Sequence, residues 1–598
     1  MNIRVKAIVL IFSGLCSLGS LNGQIPMGVT HSGQSTSQAP FPLTQYTELK
    51  NPAPTDEESW KDLSGTRCAW GDTYTRYKKE VNPHLNQKKI DIKGWKGERV
   101  AAQLVVSSAI DLDNVSVEIA PLTHSSGKQS ISTDRILKGF VRYVMTDELN
   151  KNQKGTCGPR PDLSQFDSTL VADPIDHLAA ALPIKAKTSQ GYWIRVWIPE
   201  DAISGNYSSD VLIKNNHEVI GKLKLTVQVQ QRTLPQPDQW AFHLDLWQNP
   251  FAVARYHQVP LWSEEHFRIL KTELQPYADA GGKVITVPIM HHPWGGQTYD
   301  PYETMITWVR KIDGSWWFDY TIFDKWVELK KEIGCYSMIP WKLSFLYFDQ
   351  ATNSMKELKS KPGEQAYHDL WLSMLKDFAA HLKSKGWFDI THIAMDERPM
   401  PDMLKALKII READPNFKVS LVGSLHKELS DELNDYCIAI AEKFSEEMKT
   451  KRKAEGKITT YYTCCAESHP NTYTFSNPAE GAWIAWYAAK ENLDGYLRWA
   501  LNSWTIEPLL DSRFYTWGAG DTYLLYPGGR TCLRFENLVA GIQAYEKIRI
   551  LKTELQTQNK TATLRKLERV LESFDELQLL KTPANVVVEK ANLFINGL

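Results

Sequence analysis

"DITHIAMDERPMPDMLKALKIIREADPNFKVSLVGS", residues 389 to 424, holds the unit from which the larger part of the chain is built. A short apolar run ends at Met395, where two adjacent acids, Asp396 and Glu397, are followed by Arg398 and Pro399. After Pro401 the stretch "DMLKALKIIREAD" has helical character, and "FKVSLVGS" is again a short strand-like run. Strand, helix, strand in that order predicts parallel strands, because parallel neighbours need a helical crossover.

The same unit recurs on both sides. Upstream lie the strand-like "WAFHLDLW" (240 to 247), "KVITVPIMHH" (283 to 292) and "YSMIPWKLS" (336 to 344). Downstream follow "YCIAIA" (436 to 441), "ITTYYTCC" (458 to 465) and "LDGYLRWALNSW" (493 to 504). With 389 to 397 and 417 to 424 these make eight candidates with helix-like segments between them, including a short one near 428 to 434. Eight such units predict a (β/α)8 TIM-type barrel over residues 236 to 557, with "DITHIAMDE" as its fourth strand. The charged run at 445 to 457 reads as a solvated helix face.

Ahead of "RTLPQPDQW" (232 to 240) the pattern is different. Short alternating runs such as "VSVEIAPL", "YWIRVWIP" and "KLKLTVQVQ" predict an antiparallel β-sandwich over residues 86 to 235, with Leu223, Leu225, Val227 and Val229 on its buried face. Residues 24 to 85 are expected to be a linker and extension. Residues 558 to 598 are expected to be a helix followed by a terminal strand, "NVVVEKANLFING". The start, "MNIRVKAIVLIFSGLCSLGSLNGQ", has the charged, apolar and small-residue regions of a secretory signal peptide over residues 1 to 23. Cys16 raises a lipoprotein alternative, although Leu15 is bulky for the attachment motif. An exported protein, periplasmic or secreted and without a transmembrane segment, is expected.

The 598 residues carry 69 basic and 70 acidic side chains, a formal net charge of −1, which excludes the electrostatic footprint of a nucleic-acid binder. Eight cysteines with no CxxC pair argue against a structural zinc site or a disulfide scaffold. Adjacent Cys464 and Cys465 fit either a vicinal disulfide or two small residues packed at a strand end. The 21 tryptophans are an excess that suits either sugar-ring stacking or large core side chains.

In such barrels the reacting groups lie at the C-terminal strand ends. The residues expected there are His243, Asp245, Trp247, His291, His292, Trp294, Lys342, Asp396, Glu397, Ser424, His426, Tyr461, Tyr462, Glu467, Arg498, Asn502 and Trp504. Each also has a plain structural reading. His243 and Asp245 fit a satisfied polar layer inside the barrel equally well. His291 and His292, as neighbours on a strand, are expected to face opposite sides, as are Tyr461 and Tyr462, of which at most one lines the pocket. With no HExxH or other ligand spacing, no metal and no cofactor is expected.

The acid pair is different in kind. A glycosidase of the usual type needs two carboxyls about 5 to 9.5 Å apart, straddling the scissile bond. Neighbouring residues, with Cα atoms about 3.8 Å apart, cannot straddle a sugar in that way. They can serve a substrate that brings its own nucleophile, a 2-acetamido sugar whose carbonyl oxygen attacks the anomeric carbon. Glu397 then acts as general acid and base, while Asp396 holds the acetamido N–H and steadies the oxazolinium-like intermediate. Tyr461 or Tyr462 is placed to bind the acetamido oxygen, and Trp504 to form an apolar floor.

"MDERP" (395 to 399) on a barrel strand, the preceding sandwich, and "WGAGDTYLLYPGGRTCLRFENLVAGIQAYEKI" (517 to 548) together resemble glycoside hydrolase family 123. The resemblance implies an exo-acting β-N-acetylgalactosaminidase that removes terminal β-linked N-acetylgalactosamine with retention from glycosphingolipid-type oligosaccharides. The family's acidic pair falls on Asp396 and Glu397. Two other readings are carried forward: a two-glutamate retaining glycosidase with Glu397 as acid/base and Glu467 as covalent nucleophile, and a non-catalytic carbohydrate-binding protein.

Overall fold

A computed structural model describes residues 43–148, 166–293, 297–329, 334–338, 343–395, 398–514 and 516–598. Residues 1 to 23 and the first part of the expected linker lie outside it, as do Trp294, Lys342, Asp396 and Glu397.

Two sheets form the N-terminal domain. The first has the order β1 (Thr66–Gly71), β3 (Arg99–Ser108), β10 (Thr188–Trp197), β7 (Ile136–Thr146), β8 (Thr169–Asp176). The second runs β2 (Lys89–Lys96), β12 (Glu218–Thr233), β11 (Gly205–Asn215), β4 (Leu112–Ile119), β9 (Ala181–Ile184), with the short β5 (Leu122–His124) and β6 (Ser130–Ile131) beside it. Leu104, Val106 and Ile194 of one sheet share a core with Val211, Leu223, Leu225 and Val227 of the other, so the period-two reading of β12 holds. Two features differ from the expected antiparallel sandwich beginning at 86. β1 lies earlier, inside the stretch expected to be linker, because Cys68 and Trp70 are core residues. β2 and β12 pair in parallel, which the long intervening chain permits.

The eight segments read as parallel strands in the C-terminal part supply eight strands of one sheet, the run at 336 to 344 only as far as Met338. They are β13 (His243–Leu246), β14 (Val284–Pro288), β17 (Gly334–Met338), β20 (Thr391–Met395), β21 (Lys418–Val422), β22 (Asp435–Ala439), β23 (Ile458–Tyr462) and β24 (Gly495–Arg498). The sheet order is β13-β24-β23-β22-β21-β20-β17-β14, and every pairing is parallel. Its edge strands also meet, through a bridge between Leu244 and Gly282 and the Lys283 amide donating to the Leu244 carbonyl at 3.0 Å.

The helices α1 (Pro250–His257), α2 (Glu264–Asp279), α3 (Thr321–Leu329), α4 (Gln365–Lys385), α5 (Met400–Ala413), α6 (Glu446–Ala454), α7 (Ala479–Glu491) and α8 (Leu533–Thr557) supply the other layer. Between β21 and β22 only a 3-10 turn, Lys427–Leu429, stands where a short helix was expected. An insertion adds a second small sheet, β16 (Trp316–Asp319), β15 (Thr307–Arg310), β18 (Leu343–Asp349), β19 (Ser354–Ser360), whose Trp308 packs edge-on against Trp371 of α4 at 5.7 Å. The α6 run is not simply a solvated face. Arg452 is 1% exposed and donates to the carbonyls of Ser430, Leu433 and Ile458.

The C-terminal "NVVVEKANLFING" is helical, not a strand. After α9 (Thr561–Glu572) and α10 (Glu576–Leu579), α11 spans Ala584–Ile595 and buries Ala584, Val588, Ala591 and Ile595 against α7, α8 and α9. That spacing follows a helical stripe, and packing overrides the strand preference of three consecutive valines. The tryptophan excess is largely structural too: Trp70, Trp95, Trp193, Trp326, Trp371, Trp483, Trp486 and Trp504 are fully buried.

Buried ion pairs join the two domains. Asp176 takes Arg530 across the joint at 2.6 Å and Arg142 of its own domain at 3.1 Å, and Asp173 takes Arg534 across it at 2.9 Å and Arg76 of its own domain at 2.8 Å. Backbone bonds from Ile175 to Thr531 and from Met145 to Leu510 run alongside. The distinctive stretch "GGRTCLRFEN" is therefore in large part the joint between sandwich and parallel sheet.

Candidate active site

β20 is buried at every position, and its residues alternate between two environments. Ile393 and Met395 belong to the large core shared with the helices, whereas Ala394 joins the inner cluster formed by Trp247, Val284, Cys437, Tyr462 and Leu497. The strand ends at Met395 and α5 begins at Met400, with Pro399 as its N-cap and Pro401 in its first turn, where a missing N–H costs nothing. In the sequence the acid pair falls among residues 396 to 399, between the end of β20 and the start of α5; Asp396 and Glu397 themselves lie outside the described residues.

Around the same sheet end the chain gathers aromatic and polar side chains. Trp247 follows β13, Tyr462 ends β23, and partly buried Trp499, Val422, Ala439 and Cys464 pack against them. Trp499 is held by its indole N–H on Asp521 Oδ2 at 3.1 Å and stands edge-on to Trp517, ring centres 5.7 Å apart. Trp517 in turn donates to the Gln297 carbonyl at 2.9 Å. Beneath them Arg498, fully buried at the end of β24, donates to Asp521 Oδ1 at 2.6 Å and to Asn471 Oδ1 at 3.1 Å. Burial pushes the Asp521 carboxyl up against the opposing pull of Arg498.

Several expected pocket residues lie elsewhere. Tyr461 turns to the helix layer, where its hydroxyl donates to the Ile484 carbonyl at 2.7 Å and its ring meets Tyr487; Tyr462 is the inward member of the pair. Trp504 is no sugar floor: it is fully buried, donates to the Leu525 carbonyl at 2.7 Å and packs edge-on against Tyr256. Asn502 is committed to the backbone of Asn249, accepting from its N–H at 2.8 Å and donating to its carbonyl at 3.1 Å. His291 and His292 do not face opposite sides. β14 ends at Pro288, and the two rings stack on each other 3.8 Å apart in the following loop, with His292 at φ +49°.

His243 opens β13 and so sits at the opposite end of the sheet from the acid pair. Its Nε2 is 3.3 Å from Asp435 Oδ2. Burial opposes protonation of this ring, but Asp435 outweighs it and raises the pKa. Asp245 lies midway along the strand, 3% exposed, and burial pushes its carboxyl up to about 7. Glu467 closes a turn, its Oε2 accepting the Cys464 amide at 2.8 Å, and burial raises its pKa. Cys465 is disulfide-bonded and Cys464 is not, so the two do not form a vicinal disulfide. Among the described residues, no group of three or more His, Cys, Asp or Glu is placed to hold a metal ion, and no helix is long and apolar enough to cross a membrane.

Trp499, Trp517, Asp521 and Asn471 were not singled out from the sequence. Trp517 and Asp521 lie within the distinctive segment 517 to 548, and Trp499 directly follows Arg498, so position alone was the available signal.

Residues 247–551 match the family described as glycoside hydrolase 123, catalytic domain, and residues 70–215 match the glycoside hydrolase 123 N-terminal domain. The chain belongs to glycoside hydrolase family 123. Among solved structures it is similar to a family 123 glycoside hydrolase from Clostridium perfringens, described for glycolipid glycan hydrolysis. The two are 25% identical, with a TM-score of 0.79 over 89% of this chain and 98% of that one. A family 39 glycoside hydrolase from Bacteroides cellulosilyticus is far more distant, at 10% identity and a TM-score of 0.31 over 68% of this chain and 77% of that one. No curated protein sequence matches the chain. As a family 123 glycosidase, the protein hydrolyses a glycosidic bond.

Proposed function

We propose that the chain is a retaining exo-β-N-acetylgalactosaminidase acting on terminal sugars of glycolipid-type glycans by substrate-assisted catalysis. The observation that carries the reading is the aromatic-lined sheet end where β20 stops at Met395 and the four-residue link to α5 begins, with Trp247, Tyr462 and Trp499 packed beside Ala394; the sequence puts the acid pair in that link. We read the eight parallel strands, linked from Leu244 to Gly282, as a closed (β/α)8 barrel with this link at its mouth. The similarity to a glycolipid-glycan hydrolase over nearly its whole length supports the substrate class. An exported location fits the expected signal sequence.

In this mechanism Glu397 gives its proton to the glycosidic oxygen as the acetamido oxygen bonds to the anomeric carbon, and the aglycone leaves as an alcohol. Asp396 accepts the acetamido N–H and stabilises the oxazolinium cation. Glu397 then takes a proton from water, which opens the ring from the leaving-group side, so configuration is retained after two inversions. Two adjacent ionisable acids also favour keeping one of them protonated, since like charges disfavour double ionisation. The flat indoles suit the C–H face of a galacto-configured ring.

Hydrolysis of aryl β-glycosides of N-acetylgalactosamine, N-acetylglucosamine and galactose tests the reading. The N-acetylgalactosaminide is expected to be cleaved best and the galactoside not at all. Efficient cleavage of the galactoside would overturn substrate assistance.

A further inference from the structure

On the inner face of the parallel sheet, directly below Trp247, a cavity of about 10 Å³ is lined by Asp245, Thr286, Ala394, Ser420, Cys437 and Leu497, among others. That is the room of one water molecule. Three of its polar lining atoms, Asp245 Oδ1, Thr286 Oγ1 and Ser420 Oγ, have no hydrogen-bond partner among the described residues. All three side chains are at least nine-tenths buried, at 3%, 1% and 3% exposure. They come from three strands, β13, β14 and β21, so no local turn accounts for their convergence. One orphaned hydroxyl is a tolerable cost; three around one water-sized space match the two to four polar partners that a buried water takes.

The place of this cavity ties it to the site. Ala394 in its wall is two residues before Asp396, and the other oxygen of Asp245, Oδ2, accepts from the Trp247 indole N–H at 3.4 Å. We propose that the cavity holds one buried water, bound by Asp245 and by the hydroxyls of Thr286 and Ser420, and that this water and Asp245 together position Trp247 beneath the sugar. Asp245, Thr286 and Ser420 are then positioning residues that act through the indole, and none touches substrate. The water site stands on the geometry alone, whereas the positioning role rests on the proposed function.

Thr286→Val and Ser420→Ala decide between the alternatives by the sign of their effect. If the hydroxyls are orphans, replacing them with apolar groups removes a burial cost and leaves the melting temperature unchanged or higher. If they hold a water, both variants melt lower, and Thr286→Ser, which keeps the hydroxyl, restores the wild-type value. With an aryl β-N-acetylgalactosaminide as probe, Thr286→Val is expected to raise KM about 3- to 10-fold with little change in kcat. A melting temperature unchanged or raised in both variants overturns the water site. A lower melting temperature with KM unchanged overturns the positioning role. If the wild type cleaves no N-acetylhexosaminide, the proposed function fails while the melting data still decide the water site.

Discussion

Asp245→Asn probes the buried layer beneath the site through the dependence of stability on pH. In the folded protein burial is the main cause that raises this carboxyl from 3.8 to about 7; Asp435 adds to the shift, while His243 and the Trp247 indole oppose it. The folded-state pKa lies above the unfolded one, so the folded form holds the proton longer. Stability from this group is full below about pH 4, declines as pH rises, and reaches its lowest level above about pH 7. A gap of about three units corresponds to roughly 4 kcal/mol lost between pH 4 and 8. His243, also raised, changes in the same direction, since its bond to Asp435 is lost as pH rises through its folded pKa. Asparagine keeps the size and hydrogen-bonding capacity of a neutral acid and has no proton to lose. Thermal melts at pH 4 and pH 8.5 are therefore expected to give wild type and Asp245→Asn similar midpoints at the lower pH. At the higher pH the variant is expected to be the more stable by roughly 3 °C. Parallel pH curves for the two proteins would refute the assignment of a neutral, buried acid at this position.

Other predictions follow from the same geometry. Tyr461→Phe should cost about 1 kcal/mol of stability, by losing the bond to Ile484, and leave kcat/KM unchanged, whereas Tyr462→Phe should lower kcat/KM. Glu467→Gln should retain turnover, because its carboxylate serves the Cys464 amide; loss of turnover with recovery by added azide would instead identify Glu467 as a covalent nucleophile. Asp173→Asn leaves Arg534 and Arg76 buried without their carboxylate at the domain joint, and thermal melts should register a loss of about 3 to 5 kcal/mol.

What could be read from the sequence, and what could not, divides along physical lines. Eight short apolar runs separated by helical stretches point to a parallel sheet, since parallel neighbours require long crossovers, and each supplies one of its strands, although the run at 336 to 344 is split, Leu343 and Ser344 opening a strand of the second sheet. Side-chain direction is harder. "TTYY" has the same apolar character in either register, so only the packed structure tells that Tyr462, not Tyr461, faces inward. Depth along a strand is equally hidden: with ends uncertain by two residues, His243, Asp245 and Trp247 can each be imagined at the mouth, yet only Trp247 is at that end. Trp499, Trp517 and Asp521 meet through loops distant in sequence and leave no periodic trace. The valines of α11 show a strand preference overruled by burial of a helical stripe. The acid pair lies outside the described residues, and its reading rests on adjacency as a chemical constraint.

That constraint makes substrate assistance the central claim, and one comparison tests it most directly. Aryl β-N-acetylgalactosaminides carrying acetyl, fluoroacetyl, difluoroacetyl and trifluoroacetyl groups on the 2-amino nitrogen differ mainly in the nucleophilicity of the amide oxygen. If that oxygen attacks the anomeric carbon, kcat/KM falls steeply with each added fluorine in wild type, and the slope flattens in Asp396→Asn. A kcat/KM indifferent to fluorination would mean that the nucleophile belongs to the protein and would contradict the account.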